Sequence, residues 1–422
     1  MAEKIMLFAI PGFFILMALE VLAAWLMKRR VYRLNDAINS IGLGVLSQIV
    51  GVFAKLLTIG IYAWVVQRVA LFELPLDKAW VWISALVLYD FCYYWLHRMG
   101  HEVNVLWAAH VVHHQSERYN LSTALRQTGS GVLLGWMFYL PMAVLGYPVE
   151  VFAVVAIIDL LYQYWIHTEL IGKLGWFDRV FASPSNHRAH HAVNDRYLDR
   201  NYGGIFILWD RLFGTFVEED EVDKPVYGTR APLRSWNPLW ANAEVYWAMA
   251  RDAWHARRWR DKLRVWIARP GWRPADVAAR FPKPEFDLLR ADYDPPVSRA
   301  LSIYCLLQFV LVLGMGVHFL QVAPTLALVP VIAYLVFLVA SLGVIGALLE
   351  GRRRAIWFEL LRLLVLGLAP LLSGQWLDGS ALPLALRFAC VVIGVISVIG
   401  LLLARRGVGA QHQASLAATP QR

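Results

Sequence analysis

Charge is what this 422-residue chain has least of. Only 17% of its residues are Asp, Glu, Lys or Arg, against 59% that are hydrophobic. Soluble domains run at about 25% charged and about 45–50% apolar. A water-soluble globule of this composition could not cover its apolar surface, and a disordered chain is excluded as well. Cysteine is scarce too. Cys92, Cys305 and Cys390 all lie in apolar runs, with no CxxC and no Cys/His zinc spacing. That argues against a disulfide-stapled secreted domain and against a thiolate metal site. The net charge is +9, yet no nucleic-acid-binding motif accompanies it. In a chain this apolar, basic residues gathered on one side of a membrane are the first explanation.

Long apolar runs are what the chain does have. An apolar stretch of about 20 residues can cross a bilayer. Such runs occupy 5–27, 41–70, 79–96, 300–321, 324–349, 355–373 and 382–404. The first is followed by Lys28, Arg29 and Arg30 and reads as an uncleaved anchor. Region 131–166 is too long for one helix, and Pro141 with the Gly146-Tyr147-Pro148 turn splits it into a hairpin of two short arms. With residue 28 in the cytoplasm, 97–130, 167–299, 350–354 and 405–422 fall on the same side, and the opposite loops carry one basic residue, Lys78. The expected fold is all-α: a multi-pass integral membrane protein of about nine membrane segments, with a helical cytosolic cap carrying a metal site. The expected domains are 1–78, N-terminal membrane helices; 79–299, the catalytic region with its cap; 300–404, a C-terminal four-helix membrane region; and 405–422, a cytosolic tail.

Nine of the twelve histidines fall between residues 97 and 191, where an even spread would put about three. They are His97, His101, His110, His113, His114, His167, His187, His190 and His191. His97 and His101 are spaced i, i+4, while His110-His113-His114 and His187-His190-His191 both read i, i+3, i+4. On a helix these spacings put imidazoles on one face, where several neutral rings can share an ion. Nine ligands are too many for one tetrahedral zinc and suit two five- or six-coordinate ions with room for oxygen. Imidazole accepts Fe, Cu, Ni and Zn, so ligand type leaves the metal open; a di-iron centre fits the count best. Asp90, Asp159 and Glu102 stand close to these histidines in sequence. Asp159, Gln163 and His167 are spaced i, i+4, i+8. Asp90 and Asp159 are expected to orient the histidines and balance the ions' charge.

His97 directly follows the third span and His167 the fifth. The ions would therefore sit within a turn or two of the bilayer surface. That position suits a long-chain lipid oxidised at a C–H bond. No CxxCH and no cysteine-rich cluster is present, so electrons must come from a partner protein or a small-molecule reductant. Trp240, Trp247 and Trp254 recur every seven residues among Arg251, Arg257, Arg258 and Arg260. This reads equally as a helix on an anionic membrane surface or as a stripe packed on the cytosolic domain.

The run from Asp90 to Glu102, the stretch Trp107–Gln127, Pro184–Gly204 and Trp209–Phe216 resemble the fatty acid hydroxylase/sterol desaturase superfamily, and within it the alkylglycerol monooxygenase branch. The resemblance implies two non-haem iron ions that activate O2 on a membrane lipid. It carries the ligand role to His97, His101, His110, His113, His114, His187, His190 and His191. His167 matches the last histidine of the family's intermediate motif, where many members have a pair and this chain has Gln163 at the first place. Glu102 matches an acidic position in the alkylglycerol branch. The resemblance to that branch implies a reduced pterin as one electron source, which no residue of this chain marks. A desaturase with the same iron site is the alternative outcome; a membrane metal transporter and a zinc hydrolase are the readings from other classes.

Overall fold

The computed structural model describes residues 2–405, so all but the first residue of the expected tail at 405–422 lies outside the described residues. The chain is helical throughout. In order the helices are α1 (Ala2–Leu26), α2 (Leu34–Val69), α3 (Ala79–Glu102), α4 (Asn104–His114), α5 (Leu121–Ala124), α6 (Gly131–Gly135), α7 (Leu140–Leu145), α8 (Val149–Trp165), α9 (Pro184–His191), α10 (Leu208–Phe213), α11 (Pro238–His255), α12 (Trp259–Ile267), α13 (Ala275–Arg280), α14 (Arg299–Val322), α15 (Leu328–Leu349), α16 (Ala355–Ser373) and α17 (Leu384–Ala404). Among the described residues extended pairing amounts to two isolated bridges, Phe181 with Phe206 and Gln375 with Ala381.

Among the described residues seven helices are long and apolar enough to cross a membrane: those covering Ala9–Leu26, Leu34–Ala54, Ala79–Glu102, Arg299–Thr325, Leu328–Leu349, Ala355–Ser373 and Leu384–Ala404. The chain is a multi-pass membrane protein. Region 131–166 breaks as its sequence requires, into α6, a 3-10 turn at Trp136–Tyr139, α7 and α8. The break before α8 needs glycine. Gly146 has φ +90, and a Cβ there would stand 1.8 Å from the Phe72 carbonyl oxygen, a conformation and a clearance only glycine tolerates.

The chain forms two compact units. In one, made of Met1–Arg33, Phe53–Leu233 and Asn242–Ala291, Tyr62, Val81, Tyr89, Tyr139, Met142 and Val151 form an apolar core among α2, α3, α7 and α8. Glu20 of α1 is buried there. It accepts from Tyr32 Oη at 2.5 Å, Thr168 Oγ1 at 2.5 Å and the Leu121 N–H at 2.8 Å. One carboxylate thus ties α1 to the start of α5 and to the residue after His167. The other unit, Leu34–Val52, Arg234–Ala241 and the chain from Asp292 onward, packs Phe309, Phe319, Tyr334, Leu338 and Ile345. Its interior holds a buried ion pair, Arg362 Nη2 to Glu359 Oε1 at 2.7 Å, joined by Tyr304 and Gln308.

Candidate metal centre

Four stretches of the first unit deliver the histidines. α3 supplies His97 and His101 in its last turns, and α4 follows at once with His110, His113 and His114. His167 comes two residues after α8 ends, and α9 carries the second triplet. α9 starts cleanly: Ser183 Oγ accepts from the Asn186 N–H and Pro184 occupies the first turn, the preferred residues at those places.

The nine rings converge into two adjoining groups. His97, His101, His110, His114 and His190 form one, and His113, His167, His187 and His191 the other; in each, the ligand atoms lie within 4.8 Å of one another. Each triplet is divided. α4 sends His110 and His114 to the five and His113 to the four, whereas α9 sends His190 to the five and His187 with His191 to the four. The groups share a wall, where His114 stacks on His191 with ring centroids 4.4 Å apart.

The imidazoles are set up to accept a cation. The Nδ1 atoms of His97, His113, His167 and His190 donate to the carbonyls of Tyr202, Arg126, Gln163 and Arg200 at 2.8, 2.9, 2.7 and 2.8 Å. That fixes the proton on Nδ1 and leaves Nε2 a bare lone pair. The Nε2 atoms of His113 and His167 nevertheless stand 3.2 Å apart. Neither has a proton to share, so this is no hydrogen bond. The same spacing recurs at 3.1 Å for His167–His187, 3.2 Å for His187–His191 and 3.0 Å for His110–His114. Nitrogens about 2.1 Å from one ion and at right angles to each other would lie about 3.0 Å apart. Nε2 of His97, His101 and His190 is buried without a hydrogen-bond partner, which is costly unless something else binds it. Burial first, then neighbouring imidazoles, pushes His110, His114, His187, His190 and His191 far below the usual histidine range. Burial lowers His167 in the same way and takes His113 down to about 4. Neutral rings are the form a metal binds. The residues therefore fit a pair of transition-metal ions.

The carboxylates lie behind the rings. Asp90 is fully buried and accepts from the Ile205 N–H at 2.6 Å, the Phe206 N–H at 3.1 Å and Trp209 Nε1 at 2.7 Å. Asp159 accepts from Gln163 Nε2 at 2.6 Å, and Gln163 Oε1 in turn accepts from Tyr93 at 2.6 Å. Both ends of the Gln163 side chain are thus engaged. Glu102 lies at the rim, paired with Arg98 at 2.9 Å and Arg269 at 3.8 Å.

Asp210 lies inside the Trp209–Phe216 stretch, where nothing in the sequence singles it out from its neighbours. It accepts from the backbone N–H groups of Tyr202 and Gly203 at 2.8 and 2.7 Å, and burial pushes it up to about 6 against those bonds. Residues 200–206 are therefore slung from two carboxylates, Asp210 and Asp90, and turn their carbonyls at 200 and 202 to His190 and His97. Asn201 supports the same loop with φ +57, accepted readily by Asn. Its side chain binds the Asn186 and Val217 carbonyls.

Gly204 is where loop and helices meet most closely. A Cβ there would lie 2.8 Å from Asp159 Oδ1, Asp90 Oδ1 and Tyr93 Cδ1. Gly204→Ala should therefore cost roughly 1–3 kcal/mol by overpacking, read as a lowered Tm, with bound metal reduced in the same preparation. An unchanged Tm would mean that this loop yields without strain.

The fatty acid hydroxylase family matches over residues 82–215, the segment that holds all nine histidines. The fold and site thus define a membrane lipid hydroxylase. Alkylglycerol monooxygenase of Homo sapiens is 38% identical over 360 residues, which is 85% of this chain and 80% of that protein. The Xenopus tropicalis alkylglycerol monooxygenase is 37% identical over 355 residues, 84% of this chain and 79% of its own. Ornithine lipid hydroxylase OlsE of Rhizobium tropici is 34% identical over 142 residues, 32% of this chain and 41% of its own. The chain belongs to the alkylglycerol monooxygenase family. It is an oxygen-dependent lipid monooxygenase held in a membrane by several helices. No solved structure matches it.

Proposed function

We propose that this chain hydroxylates the carbon beside the ether oxygen of an alkylglycerol lipid, using two iron ions held by the nine histidines. The observation that supports this best is the division of inward-facing, neutral imidazoles into a five and a four with a shared wall. Five and four nitrogens leave each ion a position for an outside ligand. Iron bound there supplies the chemistry that inserts one atom of O2 into a C–H bond while the other leaves as water, with two electrons and two protons consumed. The product, a hemiacetal, breaks its C–O bond to give an aldehyde and a free glycerol hydroxyl.

The chain's own part is positional. The carbonyls of Tyr202, Arg126, Gln163 and Arg200 hold four rings in one tautomer and one orientation. Asp90 and Asp210 keep the loop at 200–206 in place. A reduced pterin or a protein donor supplies the two electrons. We place the histidine site on the cytoplasmic side. Lys28, Arg29, Arg30 and the Arg352-Arg353-Arg354 triplet fall on that side of a nine-segment path in which α6–α8 form the broken pair.

The test is O2 uptake by purified protein in lipid nanodiscs, with bound metal measured in the same sample. Bound iron, with about one O2 consumed per aldehyde released from a 1-O-alkylglycerol, is the expected result. An alkene product would make it a desaturase, and zinc alone with no O2 use would make it a hydrolase.

A further inference from the structure

The α11–α12 pair carries an apolar ridge that nothing in the structure covers. Trp247 and Trp254 on α11 are 62% and 81% exposed; Trp259, Leu263 and Ile267 on α12 are 78%, 69% and 69% exposed. The α12 residues are spaced i, i+4, i+8 and the two tryptophans of α11 are seven apart, so each set lines one helix face. Both helices already have an inside. Val265 of α12 and Met249 of α11 are buried together with Ala108 of α4, and Trp266 and Trp272 pack beside them. The ridge is therefore a second apolar face, larger than the scattered exposed side chains of an ordinary surface.

Its border is basic. Arg251, Arg257, Arg258 and Arg260 are exposed along the same stretch, and none makes a side-chain ion pair among the described residues. Of the acids nearby, Asp252 is held by Arg273 at 2.6 and 3.0 Å, Asp276 accepts from the Arg257 backbone N–H at 3.0 Å, and Asp261 is half-buried in the first turn of α12. A tryptophan-rich ridge edged by unpaired arginines has the chemistry of a helix lying in an anionic lipid interface, its arginines reaching up to phosphates while their stems cover apolar surface.

The third observation is where the pair is tied. α3, an apolar span, ends at Glu102. Two residues later the Asn104 N–H donates to the Ala268 carbonyl at 2.9 Å, and Asn104 Nδ2 donates to the Val265 carbonyl at 2.8 Å. The C-terminal end of α12 is thus pinned where a membrane span leaves the bilayer. α11 is pinned as well: Asn242 Oδ1 accepts from the Gly129 N–H, and Tyr246 Oη bonds Ser130 Oγ, both at 2.9 Å.

We infer that α11 and α12 lie flat on an anionic leaflet of the membrane the chain spans, with the Trp247–Trp254 and Trp259–Leu263–Ile267 rows immersed and the arginines at the phosphates. The pair fixes the depth of α4, and with it three of the nine histidines, relative to the lipid headgroups. This inference needs only the membrane and not the ether-lipid reaction, so each can fail alone.

Nitroxide labels test it in the full chain. Trp259→Cys, Leu263→Cys, Ile267→Cys and, as a control on an exposed loop, Val222→Cys are made singly on a Cys390→Ser background, Cys92 and Cys305 being buried, and placed in nanodiscs of phosphatidylcholine with phosphatidylglycerol. The expected result is preferential collision with O2 over a water-soluble nickel chelate at 259, 263 and 267, at depths of roughly 5–10 Å, and the reverse at 222. Omitting phosphatidylglycerol, or combining Arg251→Gln, Arg257→Gln and Arg258→Gln, should make the three ridge positions shallower. Equal access of the nickel chelate at all four positions would overturn the proposal. So would protection from both reagents, with or without spin–spin broadening between copies, because the ridge would then be covered by protein.

Discussion

Replacing His187 by alanine should lower bound iron from about two atoms per chain to about one and cut turnover by more than about a hundredfold, beyond the 10–100-fold typical when only an outer contact to a ligand is lost. His187 belongs to the four-membered group, where its Nε2 stands 3.1 Å from that of His167 and 3.2 Å from that of His191. Taking one nitrogen from four leaves three, while the five supplied by His97, His101, His110, His114 and His190 remain. His110→Ala should do the converse, removing the other ion. Metal analysis by mass spectrometry, with Tm measured on the same samples, separates the outcomes. If His187→Ala keeps both irons and full activity, the four-membered group is not an iron site. If either variant loses both irons with Tm unchanged, the two groups do not bind separately.

The second large effect belongs to Asp90. Its two oxygens accept from three donors, one at Oδ1 and two at Oδ2. Asp90→Asn keeps the shape but turns one acceptor into an NH2 group, which must face one or two of those donors. Each buried donor so stranded costs about 1–3 kcal/mol. We expect a Tm several degrees lower and iron lost first from the five-membered group, because residues 205 and 206 belong to the loop whose Tyr202 carbonyl orients His97. Trp209→Phe removes one donor and leaves the carboxylate its other two, so its cost should be about 1 kcal/mol. Equal stability and iron content for Asp90→Asn and the parent chain would show that the loop is held by other means.

Eight of the nine histidines stood out because their signal is local. Imidazoles at i, i+3 and i+4 share a helix face whatever the rest of the chain does, whereas His167 stood alone, marked only by its spacing from Asp159 and Gln163. The allocation was not legible. His113 and His114 are neighbours in sequence yet belong to different groups, which depends on how α4 faces α3 and α9. The same limit applied to Asp90. Its position seven residues before His97 suggested a partner for that ring, but its actual donors are 115 and more residues away in sequence. Nothing singled out the buried Asp210 within its stretch for the same reason: what it holds, a pair of backbone N–H groups, leaves no mark in side-chain chemistry. In the membrane part the turn at Gly146 was clear from Gly and Pro. The tryptophan repeat of α11 showed a face without showing whether that face is covered.

Glu20 bears on how the protein is made. Its three donors come from Tyr32, Leu121 and Thr168, and the last is 148 residues downstream. A carboxylate within an apolar helix, here six residues before the end of α1, is costly to hold in a bilayer without partners. During synthesis α1 enters the membrane long before residue 168 has left the ribosome, so Glu20 must stay at the water boundary or find a temporary partner until then. Closure of this knot comes after residue 168 has been made, and the residue it captures adjoins His167. Biogenesis therefore has a natural order, in which the scaffold locks around the N-terminal helix before the four-histidine group, with His187 and His191, can be completed.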